Sequence, residues 1–439
     1  MNFINIVTFY TNKSDRNIEK LAEVYDNKIL LSEKIRIIGK GYLDNADKIT
    51  GKKILLKPNW VLHDRNEHDS ICLRTNNNII LALTEILAEK KPSQILIGDA
   101  PVQGCDWDKM LDDNFYKSIN DLSIQYSVPI TVKDFRRVTF DPRLNNPVKE
   151  RNPLSDYLIF DLGNESYLEQ ITSNKNKFRV TSYNPDRLAK AHAKGIHKYC
   201  ITKELLEADL VISIPKIKTH QKTGITGALK NLVGVNGDKD FLPHHRIGGV
   251  GFGGDCYPGR NIFRRISEYT LDTANRNQGK IIYKSLFYLS LAIWKISRPK
   301  NVHQMAAGWP GNDTTWRMVM DLNKIATFGK MDGTISQKPQ RMIYSLCDGI
   351  IGGQGDGPLD PKPLPLGIIC FSNNSSLNDI CMGTLMGFNI QKISLLRNAL
   401  NEIKNQNSKI EFNNKEVVLN GLLMHSIPTL PPPGWVNYI

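Results

Sequence analysis

One segment narrows the fold more than any other. Lys53-Ile-Leu-Leu-Lys57 reads as a buried strand, Asn77 to Lys91 carries apolar residues at 79, 80, 83, 86 and 87, and Gln94-Ile-Leu-Ile-Gly-Asp99 is a second apolar run. The middle stretch has helical spacing and Pro92 stops it, so the three together read as strand, helix, strand. Such a crossover is right-handed and makes its two strands parallel. The pattern recurs: Thr202–Ala208 reads as a short helix leading into the strand Asp209–Ile214, and Met342–Cys347 reads as another strand. The expected fold class is therefore α/β, a mixed, largely parallel sheet with flanking helices and an added helical lobe.

A chain of 439 residues that is 41% hydrophobic can bury one large core or two modest ones, since domains commonly run ~100–200 residues. The sequence divides into an N-terminal α/β part (1–134), an irregular insertion (135–200), a remainder of the α/β core (201–260 and 331–439) and a helical lobe (261–330). In that lobe, Asn312–Asn323 reads as a helix capped by Asp313 or Thr314. Near the end, Lys409–Leu419 gives a hairpin signal, and the Pro-rich tail is expected to dock through Trp435. No internal repeat is evident.

The seven cysteines stand alone, without the close spacing of a zinc or iron–sulfur site. The N-terminus lacks the basic start, apolar stretch and cleavage site of a secretory signal, which makes the cytoplasm the expected location. Ile281–Ile296 is strongly apolar but contains Lys284 and falls short of the ~20 residues a spanning helix needs. With Arg264, Arg265, Lys280, Lys295, Arg298 and Lys300 around it, the 262–300 region reads either as a basic amphipathic helix for peripheral contact with anionic lipid or, more ordinarily, as a core-facing helix with solvated charges. The net charge of +13 is spread along the chain without a zinc-finger, RRM or KH signature, so acidic small molecules explain it as well as nucleic acid does.

Ligands in open α/β sheets bind beyond the carboxyl ends of strands. Four strand ends supply candidates: Lys57-Pro-Asn59, Gly98-Asp-Ala-Pro101, Pro215-Lys-Ile-Lys-Thr-His220 and the Gly-rich stretch Asp348–Gly357. The densest constellation runs from Pro215 to Asn231 and places Lys216, Lys218, His220, Lys222 and Lys230 in one strand-exit loop and the turn or helix after it. Gly224 and Gly227 allow close backbone approach, and Thr223 and Thr226 can cap the helix that starts near Ala228. The N-terminus of such a helix attracts phosphate or carboxylate. Neither a Walker loop nor a Gly-x-Gly-x-x-Gly element is present. The ordinary alternative is a solvated basic edge with glycines ending a strand. Pro243–Gly259 joins His244, His245 and Arg246 to a glycine loop that reads as a lid over a bound anion or as a plain surface loop. Asp348 and Asp356 bracket what reads as a glycine-rich turn; with His244 and His245 they are the candidate metal ligands. Asp99 and Asp106 could face Lys57 as partners.

Lys57-Pro-Asn59, Ala208-Asp-Leu-Val-Ile-Ser-Ile-Pro-Lys-Ile-Lys-Thr-His220, Thr226-Gly-Ala-Leu-Lys-Asn231 and Asp348-Gly-Ile-Ile-Gly-Gly-Gln-Gly-Asp-Gly-Pro358 together resemble domain-of-unknown-function family 362. Gly311–Arg317 and Met386–Phe388 resemble a long form of it. The resemblance carries Lys57, Lys218, His220, Lys230 and Asn231 over as motif positions and implies little about activity, because the family is named for lacking an assigned function. Some members carry a ferredoxin-like extension with iron–sulfur clusters; no clustered cysteines match it here, so no iron–sulfur cluster is expected.

The leading expectation is an enzyme acting on a small phosphorylated or carboxylated substrate. His220 and Lys230 would be catalytic. Lys57, Asn59, Lys216, Lys218, Thr219, Thr226, Gly227, Asn231 and Arg246 would bind the substrate. The alternatives are a metal- or redox-cofactor-dependent oxidoreductase using His220, His244, His245 and an aspartate, and a protein that binds nucleic acid or anionic membrane. The cofactor, reaction and oligomeric state are not legible.

Overall fold

The structure is a computed structural model and describes residues 1–141, 146–173, 175, 177–297 and 306–439. Arg298 and Lys300, read above as basic flanks, lie outside the described residues.

A twelve-stranded sheet organises the chain. Its strands are β1 (Asn2–Thr8), β2 (Lys53–Pro58), β3 (Gln94–Asp99), β4 (Ile130–Asp134), β5 (Leu210–Ile214), β6 (Lys216–His220), β7 (Gly224–Thr226), β8 (Met342–Asp356), β9 (Asp360–Leu364), β10 (Ile368–Ser372), β11 (Ser408–Phe412) and β12 (Lys415–Glu416). The spatial order is β12-β11-β1-β10-β8-β5-β2-β3-β4, with β6 and β9 along the distal half of β8 and β7 beside β6. Strands β8, β5, β2, β3 and β4 run parallel; β10 is antiparallel to both β1 and β8. This is the mixed, largely parallel sheet that the strand–helix–strand reading requires, and α3 (Asn77–Ala88), closed at its start by the Asn76 side chain, is the crossover between β2 and β3.

Successive strand residues point to opposite faces, and here both faces are buried. Ile54, Leu56, Ile212 and Ile214 enter a core covered by α1 (Ile18–Asp26), α2 (Lys28–Ile38), α3 and α4 (Asp113–Tyr126). Leu55 and Val211 enter the opposite core. That second core is covered by residues of the 135–200 segment, α5 (Ala228–Asn231), α8 (Thr315–Phe328), α9 (Ser375–Leu385) and α10 (Ser394–Ile403). Between α5 and α8 stands a hairpin of α6 (Ile262–Arg276) and α7 (Ile282–Ile296), whose axes meet at Ser267 and Ser290.

Three local expectations change. The Lys-Thr-His segment is the strand β6 and not an exit loop. The Asp348–Asp356 stretch is not a turn either: it is the distal half of the fifteen-residue strand β8. Neighbours crowd Gly349, Gly352 and Gly353; a Cβ on Gly353 would sit 2.8 Å from the Cβ atoms of both Lys218 and Pro361, whereas Gly355 is required by its positive φ of 74°. At α8 the cap is Asn312, whose Oδ1 accepts from the Thr314 and Thr315 amides, whereas Thr314 makes no side-chain cap bond. The C-terminal hairpin is present, turning at Asn413 and Asn414 with positive φ. Trp435 is buried and donates from its indole to the Gln221 carbonyl at 2.6 Å, docking the tail on the β6–β7 turn.

The graft of β6 onto β8 rests on one buried ion pair. Lys216 Nζ lies 2.7 Å from Asp348 Oδ2, both side chains fully buried. Asp348 also accepts from the Tyr25 hydroxyl (2.7 Å) and the Asn76 amide (3.0 Å). Lys216 donates further to the carbonyls of Ile71 (2.7 Å) and Ile351 (3.0 Å). Removing one partner strands a buried charge, which typically costs about 3–5 kcal/mol. Asp348→Asn should therefore lower unfolding free energy by about that much in a denaturant titration, and the double change Lys216→Met with Asp348→Leu should recover most of the loss.

Candidate active site

Three of the four strand ends named above converge. At the carboxyl ends of β2, β3 and β5, Lys57 Nζ meets Asp99 Oδ1 at 2.8 Å. Asp99 also accepts from the Trp60 and Ala100 amides, each at 2.7 Å. Burial works against both charges, raising Asp99 and lowering Lys57, while the Lys57 ammonium and the Trp60 amide oppose the rise at Asp99. Asn231, at the end of α5, donates to the Lys57 carbonyl (2.8 Å) and Ser213 Oγ (2.9 Å) and accepts from Lys57 Nζ (3.1 Å). With those bonds made, Lys57 and Asn231 tie three strands and a helix together and offer no free polar atom to a ligand. Asp106 does not join them; it caps the turn at Lys109.

The helix start expected to hold a ligand's anion holds one of the protein's own. The Asp379 carboxylate, on α9, accepts from the Ala228 amide (2.6 Å) and the Leu229 amide (3.1 Å). Gly227 permits that approach, since a Cβ there would lie 2.2 Å from Asp379 Oδ1. Thr223 and Thr226 therefore do not cap α5.

What remains is a set of cations. Lys218 and His220 alternate with Thr219 along β6, so both project from the face that also carries Lys216. Lys218 is buried and donates to the Leu73 carbonyl. Lys222 follows in the turn, Lys230 lies on α5, and Lys239 comes from the short turn Lys239–Phe241, reaching the Ala100 carbonyl at 3.4 Å. These last three are half-buried. Among the described residues, Lys218, Lys222, Lys230 and Lys239 form no ion pair, and Lys222 and Lys230 have no side-chain hydrogen bond. Burial pushes Lys218 and Lys230 down to about 7 and Lys222 and Lys239 to about 8. Neighbouring ammonium groups add to the effect at Lys230, where Lys239, Lys222 and Lys57 all act.

The two histidines here have opposite tautomers. His220 Nδ1 accepts from the Lys222 amide at 3.1 Å, so its proton sits on Nε2. His244 Nδ1 lies 2.6 Å from the Leu242 carbonyl, which can only accept, so its proton sits on Nδ1 and its Nε2 lone pair is free to accept. Burial and the surrounding lysines hold both rings well below the usual histidine range, hence neutral. The expected base, His220, is thus a donor in this arrangement, and His244 is the acceptor.

Other candidates fall elsewhere. Lys216 and Asp348 are the scaffold pair described above. Thr219 donates to the Gly355 carbonyl at 2.9 Å. Asp356 accepts from the Gln221 amide. Arg246 lies 3.5 Å from Asp255. The Asn59 Oδ1 and Thr226 Oγ1 atoms are buried without a partner; Thr226 faces Lys218 across the β6–β7 pair. The metal set of His244, His245, Asp348 and Asp356 is not assembled, because Asp348 is engaged by Lys216 and Tyr25; among the described residues the close group is His245, Cys256 and Glu268. A cavity of about 1330 Å³ is lined by Glu165, Glu169, Asn323, Arg341 and Asn374 among others and by none of these lysines. Sequence reasoning missed Lys239 and Asp379. Lys239 sits in an ordinary Gly-Asp-Lys-Asp turn and Asp379 lies inside a helix, and neither carried a motif.

A lysine whose folded pKa is depressed binds fewer protons than in the unfolded chain. Its penalty is therefore full below the folded value and is relieved as pH rises from about 7 toward the unfolded value near 10.5. Lys230→Met should melt higher than the parent protein at pH 6.5, by roughly 2–4 °C, and the gap should narrow steadily toward pH 10 in a scanning fluorimetry series.

Compared with known proteins, no curated protein matches the chain in sequence. Among solved structures, it is similar to the crystal structure of a protein from Thermotoga maritima determined by the Northeast Structural Genomics Consortium. The identity is 9%, the match covers 79% of this chain and 56% of that one, and the TM-score is 0.30. The chain thus spans little more than half the length of that protein. The family model described as Domain of unknown function (DUF362) matches residues 163–383, a stretch that includes β5 to β8, the lysine-bearing hairpin, both site histidines and Asp379. It covers just over half of the 439 residues, and the chain belongs to this family.

Proposed function

We propose that the protein is an enzyme acting on a small, multiply charged anion, phosphorylated or carboxylated, held in the crevice of Lys218, Lys222, Lys230 and Lys239. The observation that carries this reading is the uncompensated charge: four lysines gathered at the carboxyl edge of parallel strands without a carboxylate partner among the described residues. Ammonium groups in a water-poor crevice stabilise negative charge that develops on a bound substrate. His220 would donate a hydrogen bond through Nε2, and His244 would accept a proton at Nε2. The lysines are buried or half-buried rather than strung along an exposed stripe, which favours a compact ligand over a nucleic-acid duplex.

Because Lys218 and Lys230 sit near neutrality, an anion would draw protons onto them, and binding should tighten as pH falls from 8.5 to 6.5. Calorimetric titration with inorganic phosphate, pyrophosphate and citrate tests this. At least one should bind, and Lys230→Met should weaken it by about tenfold or more, ~1.4 kcal/mol. If none of the three anions binds at pH 6.5, the reading fails.

A second reading, peripheral contact with anionic membrane, is favoured by the α6–α7 hairpin. Ile262, Phe263, Ile266 and Tyr269 on α6 and Ile282, Tyr288, Leu289 and Ile296 on α7 are all exposed, with Ile281 between the helices wholly so. Lys280, Lys284 and Lys295 accompany them. No helix among the described residues is long and apolar enough to cross a membrane; an apolar face edged by lysines suits the interface of an anionic bilayer instead. The protein should float with vesicles rich in phosphatidylserine and stay behind with neutral ones, and Ile281→Asp with Leu289→Asp should abolish flotation. Equal recovery of parent and variant would overturn the idea.

A further inference from the structure

Helix α6 is built inside out. Its inward residues are Arg264, Ser267, Glu268, Asp272 and Asn275, together with Leu271 and Ala274, while its outward face carries the exposed apolar residues named above. Most of the inward polar groups have evident partners: Asp272 pairs with Arg179 at 2.9 Å, and Asn275 donates to the Thr181 carbonyl at 3.0 Å. Glu268 differs. Its carboxylate accepts from the Gly248 amide at 2.9 and 3.1 Å and faces two side chains brought in by the glycine loop, His245 and Cys256. One donor atom from each of the three residues lies within 4.8 Å of the others, and all three residues are buried. His245 Nδ1 is buried with no hydrogen-bond partner among the described residues.

We propose that His245, Cys256 and Glu268 form a binding site for a zinc-class divalent ion. A nitrogen, a sulfur and a carboxylate oxygen are the donors that zinc takes, and thiolate with imidazole disfavours magnesium and calcium. Zinc bonds of about 2.0–2.3 Å place tetrahedral ligands roughly 3.4–3.8 Å apart, so donors already this close need only small side-chain rotations. Three protein donors leave a fourth position for water or another ligand. On binding, the Cys256 thiol proton passes to water, as does the Glu268 proton where the carboxyl still holds one; sulfur and metal keep their oxidation states.

The position gives the ion a purpose independent of any reading of the lysine crevice. His245 adjoins His244, and the loop from 244 to 257 is held to α6 at Glu268. A metal would add a second tie between that loop and the helix beside the Gly248–Glu268 hydrogen bonds.

The test uses the full-length chain, stripped with a chelator and titrated with zinc against a chromophoric competitor, then with cobalt. The expected result is one equivalent bound with submicromolar affinity, a thiolate-to-cobalt charge-transfer band, and a rise in melting temperature on zinc addition. Cys256→Ser and Glu268→Gln should each lose the band or weaken zinc by at least a hundredfold, with Cys105→Ser as the control that changes neither. Glu268→Gln keeps an acceptor for the Gly248 amide, so it separates loss of a ligand from loss of the fold. Absence of stoichiometric zinc binding, or a cobalt spectrum unaltered in both variants, would overturn the assignment, and neither result bears on anion binding at the lysines.

Discussion

The buried ion pair between Lys216 and Asp348 sets the terms for everything at the carboxyl edge of the sheet. Strand β8 continues well past its pairing with β5, and the pair fastens β6 to that extension. Once β6 is fixed, residue alternation carries Lys218 and His220 to the same side as Lys216. Lys57 and Asp99 do a similar job one strand pair away, and Asn231 binds α5 to both. The motif lysines therefore divide into two kinds: those with a carboxylate, which are scaffold, and those without one, which are the candidate site.

That division is what the sequence could not disclose. The strand–helix–strand periodicity reveals the sheet because both faces of β2, β3 and β5 are buried, leaving uninterrupted apolar runs. The convergence of Lys57, Asp99 and the Lys-Thr-His segment is also legible, since each follows such a run. Pairing is not: Lys216 and Lys218 are two residues apart in the same motif, yet one meets Asp348 and the other meets only a carbonyl. The Asp348–Asp356 segment looked like a turn because seven of its ten residues through Gly357 are Gly or Asp. Gly352 and Gly353 instead relieve crowding inside a long strand, a cause that only the neighbours Ile217, Lys218 and Pro361 make visible.

Helix α6 misleads in another way. Its apolar residues have good helical spacing, and the ordinary inference turns such a stripe inward. Here the inward stripe is Arg264, Glu268 and Asp272, because the surface it covers is not an apolar core but a loop of backbone amides and charged side chains. Glu268 finds the Gly248 amide there and Asp272 finds Arg179. The apolar stripe is thereby left outside, and the same inversion accounts for both the polar group beneath the helix and the apolar face above it.

Position matters as much as charge at the lysine crevice. A carboxylate is close at hand: Asp379 sits against the first turn of the helix that carries Lys230. It could have neutralised an ammonium, yet Gly227 admits it to the backbone amides of Ala228 and Leu229 instead, where it closes the helix start to any other anion. Asp99 is likewise held by Lys57 and two amides. With both nearby carboxylates committed to the scaffold, burial and mutual repulsion leave Lys218 and Lys230 near neutrality. Holding an ammonium out of water without a carboxylate partner costs stability. An anion bound as proposed above would offset that cost.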